Sequence, residues 1–296
     1  MSSQRRKCMA IIRQARFFFM VPAIFALVSA YIFAGNYSPT QLLPVITSFV
    51  LVWIFTSSVN NTYDITTDNT SRLMRNQNPV ATGELTMREV QTMHLILPVL
   101  SIAIGALAGP YWIGLPILAI ALVLLYDIRP FRLKDRPFGF LIAPLCQSLP
   151  LLFAYAAATS SFALPLRGLL TFAFLYCNGF LIARYLPDTD LDVKLGIHNF
   201  SATYGAEATR RFEILGVTIK SLIQVGGILL GLFSPLGMLL FLPSAALQLS
   251  ILAKGSEALK DPANFRRFAL WGLVPCSASI VLGIVQIGQP VSIPGV

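Results

Sequence analysis

Long apolar stretches alternate with short polar ones along the whole chain. Nine windows are apolar enough, and nearly all long enough, to cross a bilayer as helices. They fall at about 17–35, 42–59, 91–109, 111–126, 138–158, 166–183, 213–233, 235–252 and 268–287. Two pairs of windows are joined by very short turns, "GPYW" and "FSPLG", whose Pro and Gly suit such reversals. Strand-like alternation at barrel spacing is absent, which argues against an outer-membrane barrel. The pattern predicts an all-α, polytopic membrane protein: one transmembrane domain over residues 1–296 with nine spans.

Composition sharpens this picture. Charged residues make up 12% of the chain, against about 25% in soluble domains. The basic opening "MSSQRRKCMAIIRQAR" lacks a small-residue cleavage site after it, and Arg13 and Arg16 interrupt the approach to the first window. A retained first helix is expected rather than a signal peptide. With the N-terminus in the cytoplasm, the inner segments hold 20 of the 22 Lys and Arg residues. The outer loops, such as "GNYSPTQ" and "TSSFALP", are nearly uncharged. The positive-inside rule therefore predicts N-in and C-out. The net charge of +9 reflects orientation and contact with anionic membrane lipids, and no basic–aromatic module indicates nucleic acid. The four cysteines are isolated, so neither a disulfide framework nor a zinc site is indicated. No obligate protein partner is evident.

Chemistry gathers at one membrane face. The stretch "NNTYDITTDNT" places Asn60, Asp64 and Asp68 four residues apart, on one face of a helix. The stretch "PDTDLDVKLG" holds Asp188, Asp190 and Asp192, followed by Lys194. Both clusters fall at the cytoplasmic ends of even-numbered spans, the second and the sixth. A single DxxxD at a helix end reads as a solvated loop; two in this arrangement do not. Facing carboxylates repel unless a cation lies between them. Mg²⁺ suits such a place, because it binds one or two carboxylates together with substrate phosphates. Cations for a polyanion are at hand in Arg72 and Arg75, in Arg129, Arg132, Lys134 and Arg136 of "YDIRPFRLKDRP", and in Lys194.

These motifs resemble the UbiA superfamily of intramembrane prenyltransferases, a nine-helix fold with NxxxDxxxD after the second helix and DxxxD after the sixth. Asn60, Asp64 and Asp68 fill the first pattern, and Asp188, Asp192 and Gly196 fill DxxxDxxxG. "RNQNPVATGELT", "YDIRPFRLK" and "GIHNFSATYG" are similar to three further stretches of that family. The resemblance runs over about residues 13–287. Two departures stand out: the second cluster reads "DTDLD", and Asp127 occupies a position often held by Ser.

The resemblance implies that Asp64 and Asp68 hold one Mg²⁺ and Asp188 and Asp192 another, clamping a prenyl diphosphate. It implies that Asn60 orients that assembly and that Arg72, Arg132, Lys134 and Lys194 neutralise the leaving diphosphate. Tyr63, Tyr126, Asn178 and Asp190 are expected at the cavity, with Tyr63 and Tyr126 the best placed of many aromatics to face a carbocation. Lys220, inside the seventh span, is expected to snorkel to the inner interface. The implied activity is transfer of an isoprenyl group to a hydrophobic acceptor, an aromatic or quinone-precursor ring. The rival is a terpene cyclase that ionises the same donor without an acceptor. A transporter would place charge at the bilayer midplane and carry inverted repeats, and neither is seen.

Overall fold

The computed structural model describes residues 3–35, 39–71 and 75–285. Every regular element among them is helical. Helix α1 (Ser3–Gln14) meets α2 (Phe17–Ala34) at Arg16, whose backbone is left-handed. The next long helices are α3 (Pro39–Tyr63), α5 (Met87–Leu107), α6 (Pro110–Asp127), α7 (Ile142–Thr159), α8 (Leu166–Gly179), α10 (Phe200–Leu229), α11 (Met238–Ala253) and α13 (Pro262–Ile284). Between them lie three short helices: α4 (Ile65–Thr70), α9 (Thr189–Lys194) and α12 (Glu257–Lys260).

Among the described residues, 8 helical stretches are long and apolar enough to span a membrane, one of them, Leu166–Lys194, only when α8 is taken together with the turn and short helix that follow it. The chain is thus a multi-pass membrane protein. The window expected at 17–35 joins that set only when α2 is taken together with Lys7–Gln14, from which it bends by 66°. Trp53 Nε1 pins the bend to α3 by donating to the Ala15 carbonyl at 2.8 Å.

Three expected boundaries move. α3 runs on through Asn60 to Tyr63, because nothing in "NNTY" breaks a helix already paired along α5 and α6. α10 is capped at Phe200 by Asn199, which accepts from Ala202 N at 2.9 Å; it kinks at Gly205 (φ 84°, ψ 169°) and runs on as a helix from there, before the expected 213. The sixth span, expected as one helix over 166–183, breaks. α8 stops at Gly179, a 3-10 turn covers Ile182–Asp188, and α9 comes next. Hydropathy is blind to this break, because Phe180, Leu181 and Ile182 keep the window apolar.

The apolar core runs the length of the bundle, with Leu27, Trp112, Leu151, Phe174 and Leu273 fully enclosed. α2 lies along α7 and α13, and α10 along α8 and α11. Six rings, those of Phe140, Tyr176, Phe180, Phe200, Tyr204 and Phe212, form a separate cluster tying the loop after α6 to the break and to α10.

Candidate active site

The two acidic stretches fold alike. Asp64 sits where α3 ends, leaving the helical region at φ −102°, ψ 7°, and begins α4. The turn still carries through: Asp64 N bonds Asn60 O at 3.0 Å, and Asp68 N bonds Asp64 O at 2.7 Å. Asn60, Asp64 and Asp68 therefore keep one face. Asp188 begins α9 in nearly the same conformation, φ −113°, ψ 9°. In both short helices the second aspartate, Asp68 or Asp192, is buried.

Each buried aspartate is held by an asparagine that also ties down a turn. Asn78 Oδ1 accepts from Val80 N at 3.0 Å and Ala81 N at 3.2 Å, while its Nδ2 donates to Asp68 Oδ2 at 2.8 Å. Asn199 caps α10 with its oxygen, and its Nδ2 donates to Asp192 Oδ2 at 2.6 Å. Ser71 Oγ spans the two clusters by donating to Asp188 Oδ2 at 2.6 Å.

One cavity of about 280 Å³ collects these groups: Asn60, Asp64, Asp68, Asp188 and Asp192 all line it. Arg132 and Lys134 enter from the loop after α6. Lys134 Nζ lies 2.5 Å from Asp64 Oδ1 and 2.6 Å from Asp127 Oδ1. Asn60 Nδ2 donates to that same Asp127 oxygen at 2.7 Å. Arg132 has a left-handed backbone, φ 36°, a strained state for a non-glycine residue. Its guanidinium holds it there through Asp135 at 2.5 Å, Asp64 at 3.4 Å and the Tyr63 carbonyl at 3.3 Å. Gly139 makes room for this turn, since a Cβ there would lie 1.8 Å from the Leu133 carbonyl oxygen.

The same cavity holds a second polar station. Arg184 donates to the hydroxyls of Tyr126 at 2.5 Å and Tyr185 at 2.6 Å, with its charge 4.8 Å from the Tyr185 ring centroid. Among the described residues, Gln147 Oε1 and Asp127 Oδ2 are buried without a hydrogen-bond partner, and both residues line the cavity. Leu122, Val123, Ile142 and Phe265 supply apolar wall.

Burial pushes the Asp68 carboxyl up to about 6; Arg16, 3.5 Å away, pulls it back, and neighbouring Asp64 pushes it further up. Among the described residues, no three His, Cys, Asp or Glu side chains gather closely enough to hold a metal by themselves. The donor set still fits Mg²⁺. Four carboxylates offer hard oxygen ligands on one cavity, and Mg²⁺ completes its shell with phosphate oxygens and water rather than an all-protein cage.

Four expected site residues lie elsewhere. Tyr63 is 42% exposed, one residue and so about 100° around the helix from Asp64. Asp190 and Lys194 are exposed, each two residues from a cavity-lining aspartate and hence on the far side of α9. Asn178 faces the interior of the bundle, bonded to Ser277 at 2.9 Å. Lys220 does not snorkel. It is buried, with Nζ 3.0 Å from Asn178 Oδ1 and 3.3 Å from Gln248 Oε1. Arg72 lies outside the described residues. Sequence reasoning misses Arg16, Ser71, Asn78, Gln147, Arg184, Tyr185 and Asn199. Arg184 carries a usable signal, four residues before Asp188 as Asp64 is before Asp68.

Residues 19–274 match the model of the UbiA prenyltransferase family. The bacteriochlorophyll synthase 33 kDa chain of Cereibacter sphaeroides is 26% identical over 203 residues, 67% of this chain and 65% of that one. The 4-hydroxybenzoate octaprenyltransferase of Azotobacter vinelandii is 30% identical over 167 residues, 55% of each chain. The matches thus span between about half and two thirds of those relatives. A UbiA homologue from Archaeoglobus fulgidus, solved with DMAPP and Mg²⁺, superposes with a TM-score of 0.66 at 17% identity, covering 91% of this chain and 98% of that one.

Proposed function

Since the chain belongs to the UbiA prenyltransferase family, we propose that it transfers an isoprenyl group from a prenyl diphosphate to a hydrophobic acceptor that carries a polar oxygen, an aromatic or quinone-precursor ring being the expected class. One observation carries this reading: Asp64, Asp68, Asp188 and Asp192 line a single cavity together with Arg132 and Lys134. The charge asymmetry of the loops supports a site opening to the cytoplasmic face of the cell membrane.

In this reading the four aspartates hold Mg²⁺ against the diphosphate. The metal would supply charge neutralisation for the departing diphosphate. Lys134 and Arg132, anchored beside Asp64, take up the remaining negative charge as the C–O bond breaks. Asp127 and Asn60 orient Lys134, so its ammonium is in place before the donor arrives. The apolar wall and the bundle interior keep water from the allylic cation.

Arg184, Tyr126 and Tyr185 favour transfer over cyclisation. A cyclase needs an apolar mould around its cation, whereas here a guanidinium and two phenols line the cavity beside the aspartates. Such donors suit the oxygen of a second substrate. The test uses purified protein in nanodiscs with Mg²⁺ and geranyl, farnesyl or geranylgeranyl diphosphate. The expected result is pyrophosphate release only once an acceptor such as 4-hydroxybenzoate is added. Acceptor-independent release with cyclic products would replace the transferase reading with the cyclase.

A further inference from the structure

The break in the sixth span leaves backbone amides of the buried stretch 181–183 without helical partners. α10 supplies what is missing. Glu213 is buried and accepts from Ala183 N at 2.7 Å, just beyond the break. Lys220, also buried, donates to Asn178 Oδ1 at 3.0 Å, just before it. Asn178 is tied onward to Ser277 of α13 at 2.9 Å. Glu213 and Lys220 are seven residues apart, about two turns along one face of α10. They grip the two ends of the interruption.

The site itself begins directly after the break. Arg184 is the next residue after Ala183, then come Tyr185, Asp188 and, on α9, Asp192. Neither Glu213 nor Lys220 lines the cavity. We propose that Glu213 and Lys220 are positioning residues: a clamp on α10 that fixes the broken span and so sets the place of Arg184, Asp188 and Asp192. The consequence for binding rests on the diphosphate-site reading above; the clamp does not. A buried acid and a buried lysine in one membrane helix are costly features, and the break explains what each is for.

Two readouts on full-length protein in nanodiscs test this. The first is hydrogen exchange of the peptide over residues 180–190. Glu213→Ala should lose at least tenfold of its protection there, while Glu213→Gln, whose amide oxygen still accepts from Ala183 N, should stay within about threefold of the parent. The second is affinity for Mg²⁺-pyrophosphate by calorimetry, where Glu213→Ala should bind about tenfold more weakly and Glu213→Gln should again be rescued. Lys220→Met should loosen the same peptide, but less. If Glu213→Ala does not assemble, Glu213→Asp withdraws the acceptor by one methylene and should behave as the loosened variant. Unchanged exchange in Glu213→Ala or Glu213→Asp would overturn the clamp, as would equal loss in Glu213→Gln. If the parent itself fails to bind Mg²⁺-pyrophosphate, the diphosphate reading falls while the exchange experiment still decides the clamp.

Discussion

The two aspartate motifs are built alike locally and differently upstream. Each starts a six-residue helix with an aspartate at the same backbone angles, and each has its second aspartate held by an asparagine that also ties a turn. The first motif continues a helix of 25 residues with hardly an interruption. The second hangs from a span that stops, turns and restarts, and leans on Glu213 of another helix. The same local aspartate geometry is thus reached once by periodicity and once by tertiary support. The first route needs only an unbroken i, i+4 register; the second needs partners far along the chain.

The largest effect comes from removing one aspartate from each motif. Asp64→Ala and Asp188→Ala should each lower pyrophosphate release by about a hundred- to a thousandfold, the range for losing one group aimed at developing charge. Circular dichroism and the unfolding midpoint should stay near the parent, because both residues sit at the cavity rather than in the apolar core. Full activity in either variant would sink the assignment of that motif. If Asp64→Ala alone were inactive, the likeness of the two motifs would be one of shape and not of role.

A smaller effect separates the loop cations from the aspartates. Gly139→Ala puts a methyl group 1.8 Å from the Leu133 carbonyl oxygen, so the turn carrying Lys134 must shift. A displacement of about 1 Å in a positioned group costs up to about a hundredfold in rate. We expect kcat/KM to fall by tenfold or more, with Asp188 and Asp192 undisturbed. Parent kinetics for Gly139→Ala would show that Lys134 is not needed at its present distance from Asp64.

Legibility in the sequence divides the same way. The helical class, most of the span positions and the shared face of Asn60, Asp64 and Asp68 are written as periodicity, and periodicity survives folding. The break after Gly179 is not, because the window around it stays apolar, and the bend at Arg16 is not, because the polar residues there read only as the edge of the first window. Asn178 and Lys220 are misplaced by sequence reasoning for one reason: a polar residue within a span has several polar destinations, and only the packing of α8, α10, α11 and α13 selects the buried one. Tyr63, Asp190 and Lys194 are placed by nearness along the chain, whereas a helix turns a neighbouring side chain through about 100°.

The smallest effect concerns protons at the first motif. Without metal, the Asp68 carboxyl is raised to about 6 from an ordinary 3.8, chiefly by burial. The folded chain therefore holds this proton to a higher pH than the unfolded chain does. Between roughly pH 4 and 6 the ionising unfolded form gains, so this group's contribution to stability falls as pH rises and then levels off above about 6. In the proposed reading Mg²⁺ would bind the carboxylate and so would have to displace that proton below pH 6. The Asp68 proton alone should then contribute a rise in apparent affinity for Mg²⁺-pyrophosphate of up to about tenfold per pH unit toward 6, and that contribution should vanish above it. Calorimetry at pH 5, 6, 7 and 8 on the parent and on Asp68→Asn reads this directly. Asp68→Asn should bind more weakly at every pH and lose one proton's worth of slope between 5 and 6. An unchanged slope in Asp68→Asn would assign the proton to another group and leave Asp64 as the first motif's principal ligand.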